Sequence, residues 1–133
     1  MKHTKEQIET FYQDFLHAFT LGAPNVAEHF AAHAVIEYPY AATPVSMSRT
    51  EYVNQLAGIL PKMGKLEFRD LIIYTTDLPG TYWATVHGEC IIPFTGKLFE
   101  QNYVVRFSIG EELKFTGYTE HWNPLNMGKA FAK

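Results

Sequence analysis

Cysteine is almost missing from this chain: Cys90 is the only one among 133 residues, which excludes an intramolecular disulfide and fits a reducing compartment. Long apolar runs are missing as well, none approaching the roughly 20 residues that cross a bilayer. The opening Met1-Lys2-His3-Thr4-Lys5-Glu6 leads straight into an amphipathic pattern without the apolar core of a signal peptide. No export is expected, and the expected location is cytoplasmic. Basic charge is in short supply, 11 Lys and Arg against 14 Asp and Glu, so neither nucleic acid nor an anionic membrane is an expected partner. The sequence contains no phosphate loop, nucleotide fingerprint or metal-ligand motif, and no cofactor or metal is expected. Repeats, low-complexity tracts and linkers are also lacking, so residues 1–133 read as one domain.

What is present is an ordinary globular composition, 47% hydrophobic and 19% charged, long enough to bury about two-thirds of its unfolded surface. Ile8, Phe11, Tyr12, Phe15, Leu16 and Phe19 recur at helical spacing behind a Thr4/Gln7 capping box, and Gly22 and Pro24 end that helix. Asn25 and Glu28 suggest a second capping pair for a short helix. A brief strand over 34–38 stops at Pro39, and a loop continues through Pro44. Ser48 and Glu51 cap a third helix that carries Tyr52, Val53, Leu56, Ile59 and Leu60 and ends near Pro61. After Lys65 the period becomes that of strands, over 66–76, 82–94, 98–109 and 113–122, with separators short enough to require antiparallel neighbours. Helices followed by a meander predict an α+β domain, three N-terminal helices packed on a strongly curved antiparallel sheet, with a ligand between the two layers.

The chemistry concentrates at Tyr118-Thr119-Glu120-His121-Trp122-Asn123-Pro124-Leu125. A strand's side-chain period of two places Glu120 with Tyr118 and Trp122, and turns Thr119 and His121 the other way. A carboxyl on an aromatic cavity wall loses hydration and rises in pKa, which equips Glu120 to carry a proton near neutrality. Tyr103 lies on the preceding strand. Either Gln101 or Asn102 is expected opposite Glu120, a two-residue Gly110-Glu111 turn selecting the first and a three-residue Gly110 to Glu112 loop the second. Tyr38 and Tyr40 flank Pro39 and can donate to a ligand carbonyl. His87 and Glu89 share a strand face and form a candidate second polar cluster able to shuttle a proton. His29 and His33 stand four apart, but a strand begins too soon for a helix to present both to a metal. Cys90 has no adjacent base and reads as packing.

The element order, with Ala34-Val35-Ile36-Glu37-Tyr38-Pro39-Tyr40-Ala41, Ser48-Arg49, Gln101-Asn102-Tyr103 and Glu120-His121-Trp122-Asn123-Pro124-Leu125, resembles the nuclear transport factor 2-like superfamily, and within it the SnoaL-like and PhzA/PhzB-like, ketosteroid-isomerase-related proteins. The resemblance covers nearly the whole chain. It implies a cone-shaped α+β barrel with a deep, mostly apolar pocket and a homodimer packed through the sheet. It also implies that Glu120 stands at the position of the PhzA/PhzB active-site acid. That group's third-helix histidine has no match, Gln55 standing near its place. The expected function is cofactor-free acid-base chemistry, whether isomerisation, dehydration or cyclisation, on a small hydrophobic or aromatic carbonyl compound. Rival readings are a non-catalytic small-molecule-binding protein of the same fold and a dimerising interaction module.

Overall fold

Six strands and four helices make up the chain in the computed structural model, which describes residues 3–41 and 43–133. Met1 and Lys2, where the N-terminal reading starts, and Ala42, in the loop expected after Pro39, lie outside the described residues. Helix α1, Lys5–Ala18, starts at the expected capping box, with the Thr4 side chain accepting from the Gln7 amide and the Gln7 side chain accepting in return. Its buried stripe of Ile8, Phe11, Tyr12, Phe15 and Leu16 faces the sheet. Helix α2, Ala23–Ala27, starts earlier than Asn25 and has no side-chain cap; Gly22, at φ 128, turns the chain and Pro24 supplies a first-turn residue that needs no amide partner. Helix α3, Arg49–Ile59, has the expected Ser48/Glu51 box and continues into a 3-10 turn, Leu60–Lys62.

The strands are β1 (Phe30–Tyr38), β2 (Val45–Ser48), β3 (Glu67–Thr75), β4 (Thr81–Ile91), β5 (Leu98–Ile109) and β6 (Phe115–His121), and helix α4 (Pro124–Phe131) follows them. They form one sheet in the order β2-β1-β6-β5-β4-β3. The expected α+β class is the one observed, but the sheet is mixed and does not close into a full barrel: β1 runs parallel to β6, while every other pair is antiparallel. No hairpin joins β1 to β6, so nothing constrains them to run in opposite directions. Phe30 extends β1 four residues earlier than expected, because its ring enters the aromatic core and the His29 carbonyl accepts from Phe115 N–H. Strand β2 and helix α4 are additions to the expected architecture.

The core lies between α1 and the inner face of the sheet, around Phe115. That ring meets Phe11, Tyr12, Phe15, Phe30, Phe107 and Tyr118 at centroid distances of 4.8 to 5.9 Å, mostly edge to face. Gly88 on β4 faces inward where a Cβ would press on the Phe68 and Tyr103 rings, at 2.8 and 3.0 Å, so its lack of a side chain lets both rings cross the strand.

The β5/β6 register differs from both expected alternatives. Val105 stands opposite Glu120, whereas Gln101 and Asn102 lie four and three residues further back along β5. The reversal occupies 110–114: Gly110 N–H donates to the Lys114 carbonyl at 3.0 Å, and Leu113 takes the left-handed conformation at φ 56. Residues assigned in advance to the strand are consumed by the turn, and a bulge at Thr116 slips the ladder once more.

Candidate active site

A cavity of about 370 Å³ opens between α1, α3 and the inner face of the sheet, with Met127 of α4 on its wall. The alternation on β6 brings Tyr118, Glu120 and Trp122 into it, whereas Thr119 and His121 line a separate depression on the outer face. The remaining wall is largely aliphatic and aromatic, with Leu16, Phe19, Leu56, Phe68 and Val86 among its members. Glu120 is the sole carboxylate on this wall, and no described lining residue is Lys, Arg or His.

Glu120 is half-buried, and what exposure it keeps is toward the cavity. Loss of hydration pushes its carboxyl up to about 7, against which the Tyr118 hydroxyl, donating to Oε1 at 2.9 Å, pulls in the lowering direction. Five tyrosines stand within electrostatic reach of this group. Tyr12, Tyr38, Tyr52, Tyr103 and Tyr118 are all held above the ordinary phenol value, burial being the main cause and the Glu120 charge a further one. They remain neutral O–H donors throughout the physiological range. Tyr12 is hydrogen-bonded to Tyr118, and Tyr38 to Tyr52. Tyr103 differs: its hydroxyl has no protein hydrogen-bond partner among the described residues.

The other anticipated residues are distributed differently. Tyr38 and Tyr103 line the cavity with Glu120, and Tyr38 meets Trp122 edge to face at 5.7 Å. Gln101 also borders it, but its amide is already engaged: Nε2 donates to the Asn123 carbonyl at 2.7 Å, and Oε1 accepts from Asn123 N–H and Asn126 Nδ2 at 3.2 and 3.0 Å. Gln101 therefore fastens the chain after β6 instead of holding Glu120. Asn102, one residue on, points to the outer face, where its Oδ1 accepts from His87 at 2.8 Å. Neither residue fulfils the expectation of an amide opposite Glu120. Tyr40 is 61% exposed outside the cavity, against the outer-face ring of His121 at 5.3 Å. His87 and Glu89 are together, on the outer face of β4.

Tyr12 and Tyr52 were legible only as members of helical stripes, and their place beside Glu120 is new. The available signal was chemical: a phenol on the core face of an amphipathic helix needs a polar partner, and Glu120 is the only carboxylate in this sequence with an aromatic residue two positions away on both sides. Gln55, placed near the third-helix site by resemblance, does border the cavity.

No protein-family model matches the chain, and no curated protein sequence matches it. Solved structures do. A Bacillus subtilis protein with a provisional isomerase assignment superposes with a TM-score of 0.85 over 95% of this chain and 93% of its own, at 20% identity. A phenazine biosynthesis-related protein from Pseudomonas aeruginosa gives 0.71 over 98% of this chain and 86% of its own, at 14% identity. An NTF2-like protein from Burkholderia xenovorans gives 0.69 over 97% and 98%, at 13% identity. The chain has the nuclear transport factor 2-like fold, the fold of these proteins.

Proposed function

We propose that this protein is a cofactor-free acid-base enzyme of the SnoaL-like kind, acting on an uncharged, hydrophobic carbonyl compound. The observation that carries the reading is a single carboxyl set among neutral phenols in a mostly apolar cavity, where burial pushes it up to about 7. In its ionised form Glu120 removes a proton from the carbon beside the carbonyl, the C–H electron pair becomes the carbon–carbon double bond of an enolate, and the carbonyl π pair moves onto oxygen. Tyr103, whose hydroxyl is free of protein partners, donates to that developing oxyanion. Protonated Glu120 then returns the proton to a second carbon, which is isomerisation, or to a departing hydroxyl, which is dehydration; attack of the enolate carbon on another carbonyl gives cyclisation. With no cationic side chain among the described residues of the wall, a carboxylate or phosphate substrate would face Glu120 uncompensated, which favours a neutral ligand.

We also infer that two copies pair through the outer face of the sheet. Ile72, Tyr74 and Val104 are exposed there at 50%, 46% and 39%, and adjoining strands place them beside Trp83 and Thr85. Phe107 on β5 and Phe115 on β6 face the other way and belong to the core.

The test of the activity is Glu120→Gln. The amide keeps size and hydrogen bonding but cannot carry the proton, so a turnover screen on cyclic ketones should show loss of kcat by at least about 100-fold with ligand affinity retained. Full activity in Glu120→Gln would reduce the site to a binding pocket.

A further inference from the structure

On the outer face, away from the cavity, a second group of ionisable side chains takes no part in the chemistry above. His87 and Glu89 alternate on β4, and Glu100 stands opposite Glu89 on β5. His87 Nε2 lies 3.4 Å from Glu89 Oε1 and 3.9 Å from Glu100 Oε2, and donor atoms from the three residues all fall within 4.8 Å of one another. The imidazole is fixed from its far side. Its Nδ1 donates to Asn102 Oδ1 at 2.8 Å, which leaves the lone pair on Nε2. That nitrogen is buried and has no hydrogen-bond partner among the described residues. Arg69 reaches Glu89 from the exposed side without supplying a partner to the ring nitrogen. Arg69 offsets the charge of Glu89, but the buried Nε2 lone pair, with Glu100 also beside it, still lacks a donor or cation, which is costly until one joins it.

We propose that His87, Glu89 and Glu100 form a binding site for a divalent transition-metal cation of the zinc class. One imidazole and two carboxylates are ligands suited to such ions. Bonded at about 2.0 to 2.2 Å, neighbouring ligand atoms stand roughly 3 to 4 Å apart, which matches the separations from Nε2. Asn102 supplies the outer hydrogen bond that orients a metal-binding histidine and sets its tautomer. The cation satisfies Nε2 and offsets the two carboxylates, and three protein ligands leave a coordination position for water. Sequence spacing alone could not reveal the set, because its third member comes from the neighbouring strand through the β4/β5 register.

The experiment is calorimetric titration of Zn²⁺ into the full chain after dialysis against chelator, with circular dichroism as a check on each variant. The expected result is one equivalent bound, at least tenfold weaker in His87→Ala and in Glu100→Gln, with no binding of Mg²⁺. Asn102→Ala keeps all three ligands and should weaken binding about tenfold through the lost orientation of the ring, which holds the proposal to account even if His87→Ala unfolds. Absence of Zn²⁺ binding would make the cluster a histidine–carboxylate contact and overturn the site. Binding unchanged in all three variants would overturn it equally, placing the ion on others of the six histidines.

Discussion

Glu120 links the proposed chemistry to stability in a measurable way. In the unfolded chain its carboxyl titrates near 4.5, whereas in the folded protein it keeps its proton to about pH 7. Between those values the folded state binds one more proton than the unfolded state, so stability falls as pH rises through this window and levels off above it. The change is on the order of 3 kcal/mol. Glu120→Gln removes it: at pH 8 the variant should be more stable than the parent by up to that amount, and at pH 4 nearly equal. Urea unfolding across pH 4–8 would show this, and a parent protein whose stability rose between pH 5 and 7 would contradict it. Turnover should follow the opposite limb, increasing toward pH 7 as the base ionises. This part of the site was readable in the sequence because it depends only on strand alternation over Tyr118, Glu120 and Trp122. The surrounding phenols were not, since Tyr12 and Tyr52 reach Glu120 from helices far away along the chain.

Individual elements were legible where one period dominated. The two capping boxes with matched side chains define the starts of α1 and α3, and uninterrupted alternation defines β4 and β5. Where local chemistry was ambiguous, contacts distant in sequence decided. Phe30 joins β1 because its ring has the Phe115 cluster to enter, and the β5/β6 register slid because Leu113, a residue with no local preference for positive φ, turns the chain where Gly110 was expected to. The Gln101 clamp follows from that register and ties α4 to β5. Gln101→Leu keeps the volume but strips the partners from Asn123 N–H and C=O at a position 2% exposed. The expected cost is roughly 2–4 kcal/mol. Amide exchange over 123–131 should speed up while β4 is unaffected, and ligand binding should weaken because Met127 on α4 forms part of the cavity wall. Unchanged exchange there would show that α4 is held by its apolar contacts alone.

For the molecule as a whole, the sheet divides two kinds of surface. Its inner face carries the aromatic core and the cavity; its outer face carries an exposed apolar strip beside the His87 cluster. The strip is the basis for expecting a dimer. Val104→Asp adds a charge to a residue already 39% exposed, so folding should be retained while self-association is lost. Sedimentation at micromolar concentration should give a dimer for the parent and a monomer for the variant; a monomeric parent would remove the outer face as an interface.

The chain has two tryptophans, and the sheet separates them. Trp122 stands in the cavity against Tyr38, and Trp83 lies nearly parallel to the His121 ring on the outer face, 5.9 Å between centroids. The protein thus carries an intrinsic fluorophore on each side. Emission from Trp122 reports occupancy of the cavity, and emission from Trp83, with an imidazole against its indole, reports association outside. Replacing either one by phenylalanine yields a single-tryptophan protein in which events on one face are followed optically without interference from the other.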